Sequence, residues 1–182
     1  MPLKKMIGAA FFAAIISVLS QFVIPIGAVP HTLQVLAAVL AGVVLGPFYG
    51  AVSVVVWIFL GAFGLPVFAM GQSGLGVVFG PLGGFLMGFV VEAFVCGYCH
   101  PEKSWIRAIL IGLASIALVY ANGIAGFMAA FKWLLNKPMT LTQAFTVCAV
   151  PFVPFDTVKM FLGILLGSRI SRALVKAGLD VR

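Results

Sequence analysis

Apolar residues fall in long blocks along this chain, and polar residues gather at the joints between them. The block IGAAFFAAIISVLSQFVI near the start is interrupted only by Ser17, Ser20 and Gln21. Uncharged runs of this length predict membrane-crossing helices. Six spans fit the pattern, roughly 6–25, 32–50, 51–68, 75–98, 105–130 and 151–175, within one domain covering 1–182. A transmembrane barrel needs segments of about ten residues that alternate polar and apolar, a pattern this chain does not show. The stretch 131–150 (FKWLLNKPMTLTQAFTVCAV) contains Pro138 and a Thr-Leu-Thr start, which suits a short interfacial helix before the last span.

Composition agrees. Of 182 residues 63% are hydrophobic and 8% charged, whereas a soluble domain is about half apolar and a quarter charged. The opening MPLKKM plus apolar run mimics a signal peptide, but the run is longer than a typical signal core and more spans follow. It reads as an uncleaved first helix. The net charge of +7 forms no basic stripe with interleaved aromatics, so nucleic acid is not an expected partner. Positive-inside topology accounts for it instead. With both termini cytoplasmic, Lys4, Lys5, Lys103, Arg107, Arg169, Arg172, Lys176 and Arg182 lie inside, Lys132 and Lys137 outside, and Lys159 within the membrane.

This topology sorts the unusual residues onto one side. The segments PIGAVPHTLQ (25–34), GLPVFAMGQSG (64–74), KWLLNKPMT and PFVPFDTVK all meet at the outer ends of the spans. Irregular, polar backbone at membrane depth survives only against protein or water, so a cavity open to the outside is expected there.

Asp156 and Lys159 are the strongest candidates for its wall. Spaced i, i+3, they share a helix face, and a charge at the bilayer centre costs about 2.5–3.5 kcal/mol on insertion scales, so such residues face cavities. Thr32, either an N-cap or a ligand contact, and Gln34 stand at the start of the second span. Gln72 and Ser73 lie in a glycine-flanked loop, and Asn122 in the outer half of the fifth span, where interhelical bonding is the competing role. Glu92 is expected to pair with Arg107 or to snorkel. Trp57, Phe59, Phe63 and Phe68 supply core or lipid-facing aromatic surface.

Gly42, Gly46 and Gly50, like Gly76, Gly80, Gly84 and Gly88, recur every four residues, as close-packing helix faces do. Ala9-xxx-Ala13 and Ala10-xxx-Ala14 repeat the theme on the first span; spacing leaves open whether these faces pack inside the subunit or against a partner. CGYCH (96–100) matches the c-type haem pattern. It falls at the cytoplasmic end of the fourth span with no second axial ligand, and Cys148 is expected on the opposite side, which argues against haem or zinc. Three cysteines do not make a disulfide framework. Phosphate-loop, H-E-x-x-H and G-x-S-x-G patterns do not occur, so neither an enzyme nor a cofactor is expected.

VPHTLQVLAAVLAGVVLGPFYGAVS, LGAFGLPVFAMGQSGLGVVFGPLGGFLMGF and PFVPFDTVK, in that order, resemble the BioY family. These are biotin-specific S components of energy-coupling factor (ECF) transporters. The likeness covers about residues 25–165. It implies an all-α integral membrane protein of six helices with the S-component fold, placed in the bacterial cytoplasmic membrane. It implies high-affinity binding of biotin from outside, followed by uptake, either alone or with a transmembrane coupling subunit and two ATPase subunits, so that ATP enters only through partners. Asp156 and Lys159 match the family's ligand-binding pair, and Ala9, Ala10, Ala13 and Ala14 its contact with the coupling subunit. The chain departs from the family at His31, Leu82 and Phe85, the last two lacking a hydroxyl. Another vitamin or a precursor such as dethiobiotin is the alternative ligand; a small redox subunit using CGYCH is the remote one.

Biotin's chemistry suits these residues. Asp156 can accept from its ureido N–H groups, Lys159 can donate to the ureido oxygen or the carboxylate, and an apolar wall suits the bicycle. Asp156, Lys159 and the ligand carboxylate sum to one negative charge. The tail is therefore expected to reach the mouth, a helix N-terminus, or Lys132 or Lys137.

Overall fold

The computed structural model describes residues 2–24 and 31–179. The 25–30 portion of the predicted outer segment and Arg182 lie outside them. Among the described residues the regular elements are helices apart from a two-residue antiparallel pair, β1 (Val23–Ile24) with β2 (His31–Thr32). Helix α1 spans Pro2–Leu19, α2 Gln34–Ala62, α3 Leu75–Val78, α4 Gly83–Cys96, α5 Trp105–Trp133, α6 Leu141–Cys148 and α7 Val153–Lys176.

Helix α2 is two helices joined at a reversal. Gly46 has φ 80° and ψ 177°, and Pro47 follows it. Glycine adopts positive φ without a Cβ penalty, and proline starts the next helix. Eight residues of straight helix would separate Gly42 from Gly50 by about 12 Å. Instead, a Cβ on Gly50 would lie 2.6 Å from the Gly42 Cα. The arms 34–45 and 47–62 therefore run back to back. The predicted spans 32–50 and 51–68 correspond to these arms, with the turn earlier than expected, and Gly46 serves as the turn rather than as a packing face.

The first arm is the hub, buried at every position from 37 to 46 and packed by α1, α4 and α7. Two further corrections concern spacing. The span predicted as 75–98 is broken between α3 and α4 by residues 79–82, so the glycines at 76, 80, 84 and 88 do not share one helical face. Gly84 and Gly88 do meet α5 closely, at Gly126 and Val119. The interfacial helix expected within 131–150 is α6, started by a reciprocal capping box between Thr140 and Gln143.

Both described termini lie at one end. There Lys5 approaches the Tyr49 ring just past the Gly46 reversal, and the α4–α5 turn meets Arg172 and Lys176 of α7. The end predicted to be cytoplasmic thus gathers the basic residues, and the opposite end collects the start of α2, α6 and the start of α7. Among the described residues, α5 is a continuous helix long and apolar enough to cross a membrane, α2 reaches that length only over its two arms together, and α6 with α7 forms a further candidate bent by 53°.

Candidate ligand-binding site

At the end opposite the termini lies a cavity with mostly apolar walls and a few convergent polar groups, the usual character of small-molecule sites. Helix α7 supplies its charge. Pro154 in the first turn presets the helix start, and Asp156 follows in the same turn, where the helix N-terminus favours an anion. Lys159 Nζ donates to Asp156 Oδ1 at 2.9 Å. From the middle of α5, Tyr120 Oη donates to Asp156 Oδ2 at 2.6 Å, the short distance of a charge-assisted bond. All three side chains line the cavity. The predicted pair is present, and Tyr120 is a third member that sequence reasoning missed.

The start of α2 supplies neutral polar groups. Thr32 Oγ1 donates to Gln34 Oε1 at 2.8 Å, and Gln34 Nε2 donates to Ser20 Oγ at 3.3 Å. Both residues are buried and face the cavity. The N-cap is Leu33, not Thr32, though the Thr32 hydroxyl also accepts from the Gln34 amide N–H at 3.3 Å. Gln72 lines the cavity from the α2–α3 loop. That loop is held by Gln21, which accepts from Gly71 N–H at 3.1 Å and donates to the Phe68 carbonyl at 3.0 Å. Trp57 donates to the Val67 carbonyl and stands edge-on to Phe68. Phe68, Phe85, Phe89 and Phe152 make the apolar walls, and Cys148 reaches in from α6. Of the four aromatics singled out, Trp57 and Phe68 are buried, while Phe59 and Phe63 are exposed.

Other candidates fall elsewhere. Asn122 bonds to the Leu118 carbonyl of its own helix and is not among the lining residues, nor is Ser73. Lys132 lies over the Trp133 ring, and neither it nor Lys137 lines the cavity. Glu92 overturns its expectation. It is fully buried, and neither carboxyl oxygen has a hydrogen-bond partner among the described residues. It faces the helix packing because it shares a side of α4 with buried Gly88, Phe89 and Cys96. In CGYCH, Cys96 pairs with the Ser115 hydroxyl, and His100 Nδ1 lies 2.8 Å from Glu102 Oε1. The described residues contain no cluster of three or more side chains suited to a metal.

The alanine faces of α1 separate cleanly. Ala9 and Ala13 are buried in the core, whereas Ala10 and Ala14 are exposed. His31 is also buried, and neither ring nitrogen has a hydrogen-bond partner among the described residues. Burial lowers its pKa from the ordinary value; the Lys159 charge adds to this and Asp156 opposes it.

Comparison with known proteins places this geometry in context. The model of the BioY family matches residues 1–176. The chain is 37% identical over 176 residues to a biotin transporter BioY of Thermotoga maritima, covering 96% of this chain and 99% of that one. It is 40% identical over 177 residues to a biotin transporter BioY of Rhodobacter capsulatus, covering 88% and 90%. Among solved structures, it resembles the S-component for biotin from an ECF-type ABC transporter. The TM-score is 0.80 and the identity 28%, over 94% of this chain and 92% of that one.

Proposed function

The chain belongs to the BioY family, and from that premise we propose that it is a biotin transporter whose ligand sits against Asp156, Lys159 and Tyr120. The observation that carries this site is the buried Tyr120–Asp156–Lys159 chain of hydrogen bonds on the wall of a mostly apolar cavity. An ionised carboxylate has about four lone-pair positions, and the protein's own donors take one on each oxygen. The positions left over accept ureido N–H groups. Lys159 retains two N–H donors for an acceptor on the ligand, and Thr32, Gln34 and Gln72 add neutral partners at the rim.

The finer reading has six membrane crossings: α1, the two arms of α2, α3–α4, α5 and α7. Both termini face the cytoplasm of a bacterial plasma membrane, supported by the basic residues gathered at their end. This chain contributes binding and no catalytic step. Where uptake draws on ATP, hydrolysis lies with two separate ATPase subunits joined through a membrane coupling subunit. Exposed Ala10 and Ala14 are the surface for that subunit, since small residues allow close helix approach in lipid, while Ala9 and Ala13 hold α1 to the core.

The test is equilibrium binding of radiolabelled biotin to purified protein in detergent, with a vitamin panel and dethiobiotin as competitors. Asp156→Asn and Lys159→Ala are each expected to weaken biotin by 100-fold or more, about 2.7 kcal/mol or above. Unchanged affinity in both variants would overturn the site. Ala10→Trp with Ala14→Trp should leave biotin binding intact and abolish co-purification with the coupling subunit.

A further inference from the structure

His31 is 4% exposed, yet neither of its ring nitrogens is hydrogen-bonded among the described residues. Its orientation is set by aromatic packing: the ring stacks on Phe152 at 4.0 Å between centroids and meets the edge of Phe155 at 5.2 Å. An unsatisfied buried polar group costs about 1–3 kcal/mol, and unlike Glu92 this one borders an open space that a partner could enter. The ring borders a second cavity of about 260 Å³. Phe22, Val23, Leu33 and Phe155 give this cavity apolar walls. Thr32 and Lys159 line both it and the Asp156 cavity, so those two side chains stand between the two spaces.

Apolar walls ending in an imidazole and an ammonium are the complement of an alkyl chain that ends in a carboxylate. The first cavity, with Asp156 already facing it, is a poor place to leave a second negative charge. We propose that the second cavity is the tail subsite. The ligand's fused-ring head lies against Asp156, and its aliphatic tail passes Thr32 and Lys159. The tail carboxylate then accepts a hydrogen bond from the His31 ring N–H, with Lys159 as the adjacent cation. This rests on biotin as the ligand. It makes His31 the residue that discriminates an acidic tail from a neutral one.

The experiment compares biotin with an analogue whose carboxylate is replaced by methyl, on wild-type protein, His31→Phe and His31→Gln in detergent. Phenylalanine keeps the stack on Phe152 and removes the donor; glutamine keeps a donor. We expect His31→Phe to weaken biotin about tenfold, the low end for a hydrogen bond to a charged group, and to change the methyl analogue less than twofold. His31→Gln should retain part of the preference for biotin. Equal loss for both ligands, or no loss for biotin, overturns the tail subsite and leaves the biotin site standing. Wild-type protein that binds neither ligand overturns both. Should His31→Phe not fold, imidazole ¹⁵N resonances of wild-type protein decide the matter. Biotin should move one of the two histidines and the methyl analogue neither; an unmoved pair overturns the proposal.

Discussion

Asp156 and Glu92 are both buried carboxyl groups on apolar helices, and the molecule treats them in opposite ways. Around Asp156, at the end away from the termini, each oxygen receives a donor and the side chain borders a cavity. Around Glu92, toward the basic end, the helices close completely and supply no donor among the described residues. Burial of an acid is therefore not in itself the mark of a binding site. The mark is an acid whose position is fixed by partners and whose remaining lone pairs look into open space.

Substitutions break this comparison in opposite directions. Asp156→Leu strands Lys159 and the Tyr120 hydroxyl, and breaking a buried pair from one side costs about 3–5 kcal/mol. Its thermal unfolding midpoint in detergent should fall sharply, with biotin binding lost. Glu92→Leu removes an unsatisfied group worth about 1–3 kcal/mol, so its midpoint should rise and biotin affinity stay within about twofold of wild type. A fall in the midpoint would mean that Glu92 has a stabilising partner. Tyr120→Phe sharpens the Asp156 side alone: loss of one bond should weaken biotin by about tenfold, or about 1.4 kcal/mol, without changing the fold. Affinity equal to wild type would remove Tyr120 from the site.

The smallest effect concerns pH. The buried His31 has a lowered pKa, so the folded chain binds fewer protons than the unfolded one. Its contribution to stability is complete above the ordinary histidine range and is lost as pH falls through that range toward the lowered value. Unfolding midpoints measured downward from pH 7.5 should decline in wild type and decline less in His31→Phe.

The Asp156–Lys159 pair was legible because two charges at i, i+3 in an apolar run have few places to go. The cavity was legible because prolines, glycines and amides cluster at one set of helix ends. Tyr120 was not read. It lies in a buried stripe with Ile116, Ile124 and Phe127, and a single hydroxyl in such a stripe is itself the signal, because a buried tyrosine seeks a partner. The reversal at Gly46 was placed late because the glycine period suggested a continuous packing face, although the Gly46-Pro47 dipeptide marks a turn. Glu92 was misplaced because Arg107 is near in sequence, whereas its position on α4 turns it inward among Gly88, Phe89 and Cys96. His31 showed only as a departure from the family; its lack of partners is a fact of three-dimensional packing.

The reversal in α2 also bears on how the protein enters its membrane. The arms 34–45 and 47–62 reach about 18 and 24 Å at 1.5 Å per residue, short of the roughly 30 Å hydrocarbon core. Neither arm matches an independent span, and the first has no lipid-facing side once folded. They should therefore leave the insertion machinery together as a hairpin. Glycosylation mapping of nascent chains that stop after residue 45 or after residue 62 would show it, the shorter chain failing to integrate this segment stably. Delivery to the bilayer then waits on Gly46: until the ribosome has made the second arm, the pillar around which the molecule packs has no settled home in lipid.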